Sequence, residues 1–196
     1  VYEVELKFRV SDLAGVERSL VELAARFREP VEQIDRYFAH PCRDFARTDE
    51  ALRLRSIGGD VAMTWKGPRI DTATKTRQEL ELPVAAVAAV GSAAGAVRPT
   101  VEAWTALLEA LGFRRVREVV KRRRAARVPW HGAEVDVALD TVAGLGDFVE
   151  FELQARQEEV PQARACLESL ARELGCTDSE RRSYLELLIA ADPPAR

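Results

Sequence analysis

A chain of 196 residues that is 47% hydrophobic and 31% charged can enclose one sizeable core, and it is too apolar to stay disordered. Its 29 basic and 32 acidic side chains leave a formal net charge of −3, which excludes a general electrostatic pull toward nucleic acid or anionic membrane. Cys42, Cys166 and Cys176 are odd in number, widely spaced and without a CxxC or CxxH pair, so neither a disulfide framework nor a structural zinc site is expected.

The first nine residues, VYEVELKFR, alternate strictly: Tyr2, Val4, Leu6 and Phe8 are apolar, while Glu3, Glu5, Lys7 and Arg9 are charged. That period of two predicts a strand with unlike faces. Leu13, Val16, Leu20, Leu23, Ala24 and Phe27 then recur at helical spacing, predicting a helix over 12–28 with Ser11 as N-cap. QIDRYFAH, 33–40, reads as extended and stops at Pro41, and ALRLRSI, 51–57, alternates again. Gly58-Gly59-Asp60 is a turn, and VAMTWKG, 61–67, reads as the returning arm of a hairpin. A loop with Pro68 leads to TRQELELPV, 76–84, and an alanine-rich stretch, 85–97, reads as a flexible or partly helical connection. Thr100 opens a helix over 100–111 that stops at Gly112. Three strands follow, 117–130, 133–142 and 147–154, the first two joined by a turn at His131-Gly132. Helices are expected over 161–174, opened by Pro161, and over 178–190, where Thr177 and Glu180 have capping-box spacing. The whole reads as one domain, 1–190, with a short tail, 191–196.

Charge recurs at every second position in nearly every strand. Arg53 and Arg55 alternate with Leu52 and Leu54; Lys66 follows Trp65; Arg77, Glu79 and Glu81 alternate with Gln78, Leu80 and Leu82. Lys121 and Arg123 are two apart, Glu134, Asp136 and Asp140 share a parity, and Glu150 and Glu152 flank Phe151. One such face is ordinary solvated surface in an antiparallel sheet. A whole set carrying almost only ionic groups would place like charges side by side, which costs stability. A closed antiparallel barrel resolves the conflict, with apolar faces outward under the helices and ionic faces inward. A lumen offering carboxylates suits hard cations such as Mg2+ or Mn2+, and one offering Arg and Lys suits phosphate oxygens.

Glu3-x-Glu5-x-Lys7 resembles the ExExK signature of the CYTH family, the triphosphate tunnel metalloenzymes. YFAHPCRDFARTDEALRLR, TWKGPR, KTRQELEL, VKRRR, LDTVAGLGDFVEFE and SYLELL follow in the family's order, from Glu3 to Tyr184. The spelling of the LDTVAGLGDFVEFE and TWKGP stretches is most similar to the class IV adenylate cyclase branch; thiamine and inorganic triphosphatases are sibling branches. The resemblance implies an α+β fold, a tunnel of about eight antiparallel strands with a charged lumen and helices packed outside. It implies metal binding by Glu3, Glu5, Glu150 and Glu152 with Asp140, and triphosphate binding by Arg53, Arg55, Lys66, Lys121 and Arg123. Arg77, Glu79 and Glu81 match family positions facing the substrate or one another. Lys7 and Lys66 are the implied catalytic residues, and Mg2+ or Mn2+ the implied cofactor.

The expected activity is therefore metal-dependent conversion of ATP to cyclic AMP and pyrophosphate. The alternative is hydrolysis of tripolyphosphate or thiamine triphosphate, and a polyphosphate-binding module without turnover is a third reading. Partners are a small triphosphate-bearing molecule, without nucleic acid or membrane, and the expected state is monomer or homodimer. No signal-peptide core and no apolar run of about 18 residues is evident, so a cytoplasmic location is expected. His40 and His131 are isolated, Trp65 and Trp104 read as packing residues, and Tyr184 is expected to pack the last helix against the barrel. Tyr37 reads as core or edge packing, or as an inward neighbour of Lys66.

Overall fold

The structure, a computed structural model, describes residues 2–69, 77–85 and 100–192. In chain order the elements are β1 (Tyr2–Arg9), α1 (Leu13–Glu22), β2 (Arg26–Phe27), β3 (Val31–Ala39), α2 (Phe45–Thr48), β4 (Ala51–Ile57), β5 (Asp60–Arg69) and β6 (Arg77–Ala85). Then come α3 (Val101–Ala110), β7 (Arg114–Trp130), β8 (Ala133–Val142), β9 (Gly146–Ala155), α4 (Val160–Glu173) and α5 (Tyr184–Ala191). The strands run β2-β7-β3-β4-β5-β6-β1-β9-β8, and β7 pairs with β8 as well, so eight of them close into a ring and the two-residue β2 is appended to β7. All the ladders of the ring are antiparallel. Closure leaves the eight-strand ring without an open edge.

Register decides what faces inward. On β1 and β9, Val4 lies opposite Leu153, Leu6 opposite Phe151 and Phe8 opposite Val149; the intervening pairs are Glu5 with Glu152 and Lys7 with Glu150. The apolar set joins Leu20 of α1 and Leu167 and Leu170 of α4 in one core, each of those three fully buried. Burying a leucine of this kind contributes about 1.5–3 kcal/mol. A second core gathers Leu52, Leu54, Phe38 and Val61 under Leu108 of α3 and Phe45 of α2. These cores cover the outer faces of β1, β9 and β4, while Leu80 and Leu82 on the outer face of β6 stay exposed; the charged parity is left to the lumen.

Tight turns sustain the ladders. Gly58 and Gly59 both have positive φ (57° and 104°) between Ile57 and Asp60, and His131 and Gly132 (47° and 82°) do the same between Trp130 and Ala133. Positive φ at both central residues is the requirement of the two-residue turn that matches strand twist.

The first and last helices need correction. The first helix is capped by Asp12, whose side chain accepts from the Gly15 N–H, and it ends at Glu22, not 28. Ala24 takes a positive φ of 61°, and Arg26–Phe27 pair with β7 as β2. The last helix begins at Tyr184, not 178. Its capping box is Ser183 with Glu186, the same spacing as Thr177 with Glu180 but further along the chain. The intervening residues are extended across the end of β1, where Ser179 bridges Phe8 and the Glu180 N–H donates to the Lys7 carbonyl at 2.7 Å. Residues 86–97 of the alanine-rich stretch lie outside the described residues. No helix among the described residues is long and apolar enough to cross a membrane.

Candidate active site

The barrel encloses a cavity of about 1040 Å³. Every strand of the ring except β8 supplies an ionic or aromatic side chain to its lining. β1 gives Glu3, Glu5 and Lys7, β3 gives Asp35 and Tyr37, β4 gives Arg53 and Arg55, and β5 gives Lys66. β6 gives Arg77, Glu79 and Glu81, β7 gives Lys121 and Arg123, and β9 gives Glu150 and Glu152. All the residues singled out in the sequence as site candidates meet there but one. Asp140 is absent from the lining: it is fully buried.

Asp140 serves as a foundation. Arg123 grips it through Nε at 2.7 Å and Nη2 at 2.5 Å, Lys121 Nζ pairs with it at 3.4 Å, and the Tyr184 hydroxyl donates to it at 3.0 Å. Arg123 also contacts Glu150. Asp35 is the counterpart on β3. Arg55 donates to both its oxygens, at 2.7 and 2.8 Å, and Arg53 approaches at 3.5 Å. Burial would raise the Asp35 carboxyl, but Arg53 and Arg55 overcome that and hold it well below the usual aspartate range. Paired carboxylate and guanidinium groups of this kind survive burial because each satisfies the other.

Arg53 is less fully engaged than Arg55. It is buried, its ion pairs with Asp35, Glu79 and Glu81 lie at 3.5, 3.6 and 3.7 Å, and its Nε has no hydrogen-bond partner among the described residues. A buried guanidinium nitrogen left in that state is costly unless a ligand completes it. Lys66 lies between Glu79 at 2.5 Å and Glu3 at 3.3 Å. Burial and the Arg53 charge push its ammonium down; Glu3, Glu79 and Glu5 outweigh them and raise it, so Lys66 is charged at neutral pH. Burial, and then Arg123, lower Lys121 to about 8, against the pull of Asp140 and Glu150.

The carboxylates are concentrated on β1 and β9. Glu5 lies directly opposite Glu152. Burial and then the charge of Glu3 push the Glu152 carboxyl up to about 8, with Glu150 and Glu5 adding to the rise and Arg123 opposing it. Glu3 is raised too, chiefly by burial. Crowded carboxylates that resist ionising are a hard-oxygen donor set for a divalent cation. No three such groups among the described residues already converge on a metal position. Mg2+ does not need that: it is held by one or two carboxylates with waters and substrate phosphates completing its shell. The residues present therefore fit such an ion.

Asp35 lines the lumen without having been a candidate from the sequence, while Tyr37 takes both of its expected places, buried in a core and facing the lumen. Tyr184 packs α5 against the barrel as expected, beside Val119, Val142 and Phe148, and it also lines the cavity with Lys7 Nζ 4.1 Å from its ring centroid. The signals in the sequence are the inward parity of Asp35 and Tyr37 with Gln33, and the SYLELL stretch that holds Tyr184. His40 also borders the cavity, but its Nδ1 accepts the Cys42 and Arg43 N–H groups, each at 3.0 Å, and so shapes the loop.

A Methanocaldococcus jannaschii protein named as a candidate adenylate cyclase is 31% identical over 190 residues, covering 94% of this chain and 97% of its own. The solved PH1819 protein of Pyrococcus horikoshii is 40% identical with a TM-score of 0.79, over 96% of this chain and 98% of its own. The PH1012 protein of the same organism is 28% identical with a TM-score of 0.75, over 94% and 98%. The family description for the CYTH domain matches residues 1–184, the span that builds the ring of strands, both carboxylate foundations and the tyrosine at the start of α5. With its ExExK strand set inside a closed barrel, this chain belongs to the CYTH domain family.

Proposed function

We propose that the protein is a divalent-metal-dependent enzyme that converts ATP to cyclic AMP and pyrophosphate within the barrel. The observation that carries the triphosphate assignment is Arg53: a buried guanidinium lining the cavity, whose Nε is unpartnered and whose ion pairs are no shorter than 3.5 Å among the described residues. It supports a site built to receive phosphate oxygens in addition to its internal carboxylates. CYTH proteins act on triphosphate substrates and depend on metal ions as a class. The cyclase reading is supported by the name of the Methanocaldococcus jannaschii relative and by the lining beyond the ionic wall. There, Val116, Leu185 and Ile189 give the cavity apolar surface that an inorganic triphosphate would not use.

In this reading Arg53, Lys66, Lys121 and Arg123 hold the triphosphate, with Arg55 and Arg77 alongside. Asp35 and Asp140 keep the arginines in place. Glu3, Glu5, Glu150 and Glu152 would hold the divalent ion, which supplies charge neutralisation at the phosphates and lowers the barrier to attack when bound. Lys7 and Lys66 place ammonium groups beside the reacting phosphate. The ribose 3′ hydroxyl gives up its proton to solvent, its oxygen bonds to the α-phosphorus as the bond from that phosphorus to the bridging oxygen of the β-phosphate breaks, and pyrophosphate leaves with that bonding pair. Such a transfer requires position and charge neutralisation more than covalent help from the protein.

The test is incubation with Mg2+ or Mn2+ and each of ATP, tripolyphosphate and thiamine triphosphate, with products resolved. Cyclic AMP and pyrophosphate from ATP are the expected result. Orthophosphate release would replace the cyclase by a triphosphatase in the same tunnel, and tight binding without turnover would reduce the protein to a polyphosphate-binding module.

A further inference from the structure

Lys7 is held at both ends by the segment that leads into α5. Its backbone carbonyl accepts the Glu180 N–H at 2.7 Å, and its Nζ donates to the Arg182 carbonyl. Arg182 is steadied in turn by Glu180, with Nη2 and Oε2 2.6 Å apart. Tyr184 then turns its ring toward two ammonium groups, Lys7 Nζ at 4.1 Å from the centroid and Lys121 Nζ at 5.2 Å. The ring is 6% exposed, and Phe148 meets it edge to face with centroids 5.0 Å apart. Its hydroxyl is fixed on Asp140 at 3.0 Å, on the oxygen that also faces Lys121 at 3.4 Å.

This arrangement solves a problem particular to a phosphate clamp. Two neighbouring ammonium groups repel; Asp140 already faces Lys121 at 3.4 Å, and a further carboxylate would offset more of the charge meant for the ligand. An aromatic face attracts cations through its quadrupole and leaves their net charge intact. Resting on the triphosphate reading above, we propose that Tyr184 is a positioning residue: its ring gathers Lys7 and Lys121 into one phosphate-facing pair, and the clamp is complete only when residues 179–184 are seated on β1. Tyr184 touches no reacting atom in this proposal; it acts through the two lysines.

The test compares wild type, Tyr184→Phe and Tyr184→Leu. Each is titrated with tripolyphosphate by calorimetry in the presence of EDTA, so that cationic side chains alone are read, and thermal melting defines a temperature at which all three are folded. Tyr184→Phe keeps the ring and is expected to bind within about 3-fold of wild type, whereas Tyr184→Leu is expected to bind at least about 10-fold more weakly. With Mg2+ and ATP the same loss should fall on KM more than on kcat. A second readout needs no variant at Tyr184: in wild type, the ε-CH2 protons of Lys7, assigned through Lys7→Arg, should show an upfield ring-current shift by NMR. Tyr184→Leu binding as tightly as wild type, Tyr184→Phe losing as much as Tyr184→Leu, or an unshifted Lys7 signal would each overturn the proposal. Wild type that binds no tripolyphosphate would overturn the triphosphate reading itself, a result distinct from any difference among the variants.

Discussion

Asp35 and Asp140 stand on β3 and β8, the two strands that flank β7, and each is forked by an arginine. Removing such a carboxylate leaves buried cations without a counter-charge, so Asp35→Ala should cost about 3–5 kcal/mol in chemical denaturation. The sign with pH follows from the depressed carboxyl. The folded value lies below the ordinary 3.8, so the stabilisation is complete above that value and is lost as pH falls through the folded one. Wild-type stability should therefore drop below about pH 4, and Asp35→Ala should drop less over the same range, as followed by urea midpoints. Glu5 behaves oppositely because its cross-strand neighbour is Glu152. Glu5→Gln relieves like-charge repulsion while removing an oxygen from the proposed metal site. The melting temperature should hold or rise, while metal-dependent turnover falls by about 100-fold or more. Unchanged turnover in Glu5→Gln would remove β1 from the metal site.

Each strand serves two environments, and so its two faces should respond differently to mutation. Leu170 of α4 is fully buried in the core outside β1 and β9 and lines no part of the cavity. Leu170→Ala should cost about 2–5 kcal/mol of stability, with KM for ATP unchanged at temperatures where the variant is folded. A raised KM would mean that the outer core and the lumen are mechanically coupled. The same two-faced alternation is what made the barrel legible. Leu52 and Leu54 against Arg53 and Arg55, or Phe151 between Glu150 and Glu152, state inside and outside residue by residue. The end of the chain was less legible. Thr177 with Glu180 and Ser183 with Glu186 offer identical capping spacing, and only the pairing of residues 179–180 with β1 decides between them. Tyr184 at a helix start reads as packing because its lysine partners are distant in sequence. Asp35 was overlooked as a lone carboxylate, since its value lies in arginines contributed by another strand.

At the scale of the whole molecule, closure of β7 on β8 converts strand faces that would repel one another into a lined chamber. Cations from β4, β5 and β7 and carboxylates from β1 and β9 share that chamber. The arrangement suits a ligand that carries several negative charges together with its own metal ions, since both halves of the lining then gain partners. The most direct test is a crystal structure with Mg2+ and a non-hydrolysable ATP analogue. The expected result is a triphosphate inside the barrel, its oxygens on Arg53, Lys66 and Lys121, with the ion between the phosphates and the Glu5–Glu152 pair. A triphosphate bound on the outer surface, with Arg53 still unpartnered at Nε, would contradict it.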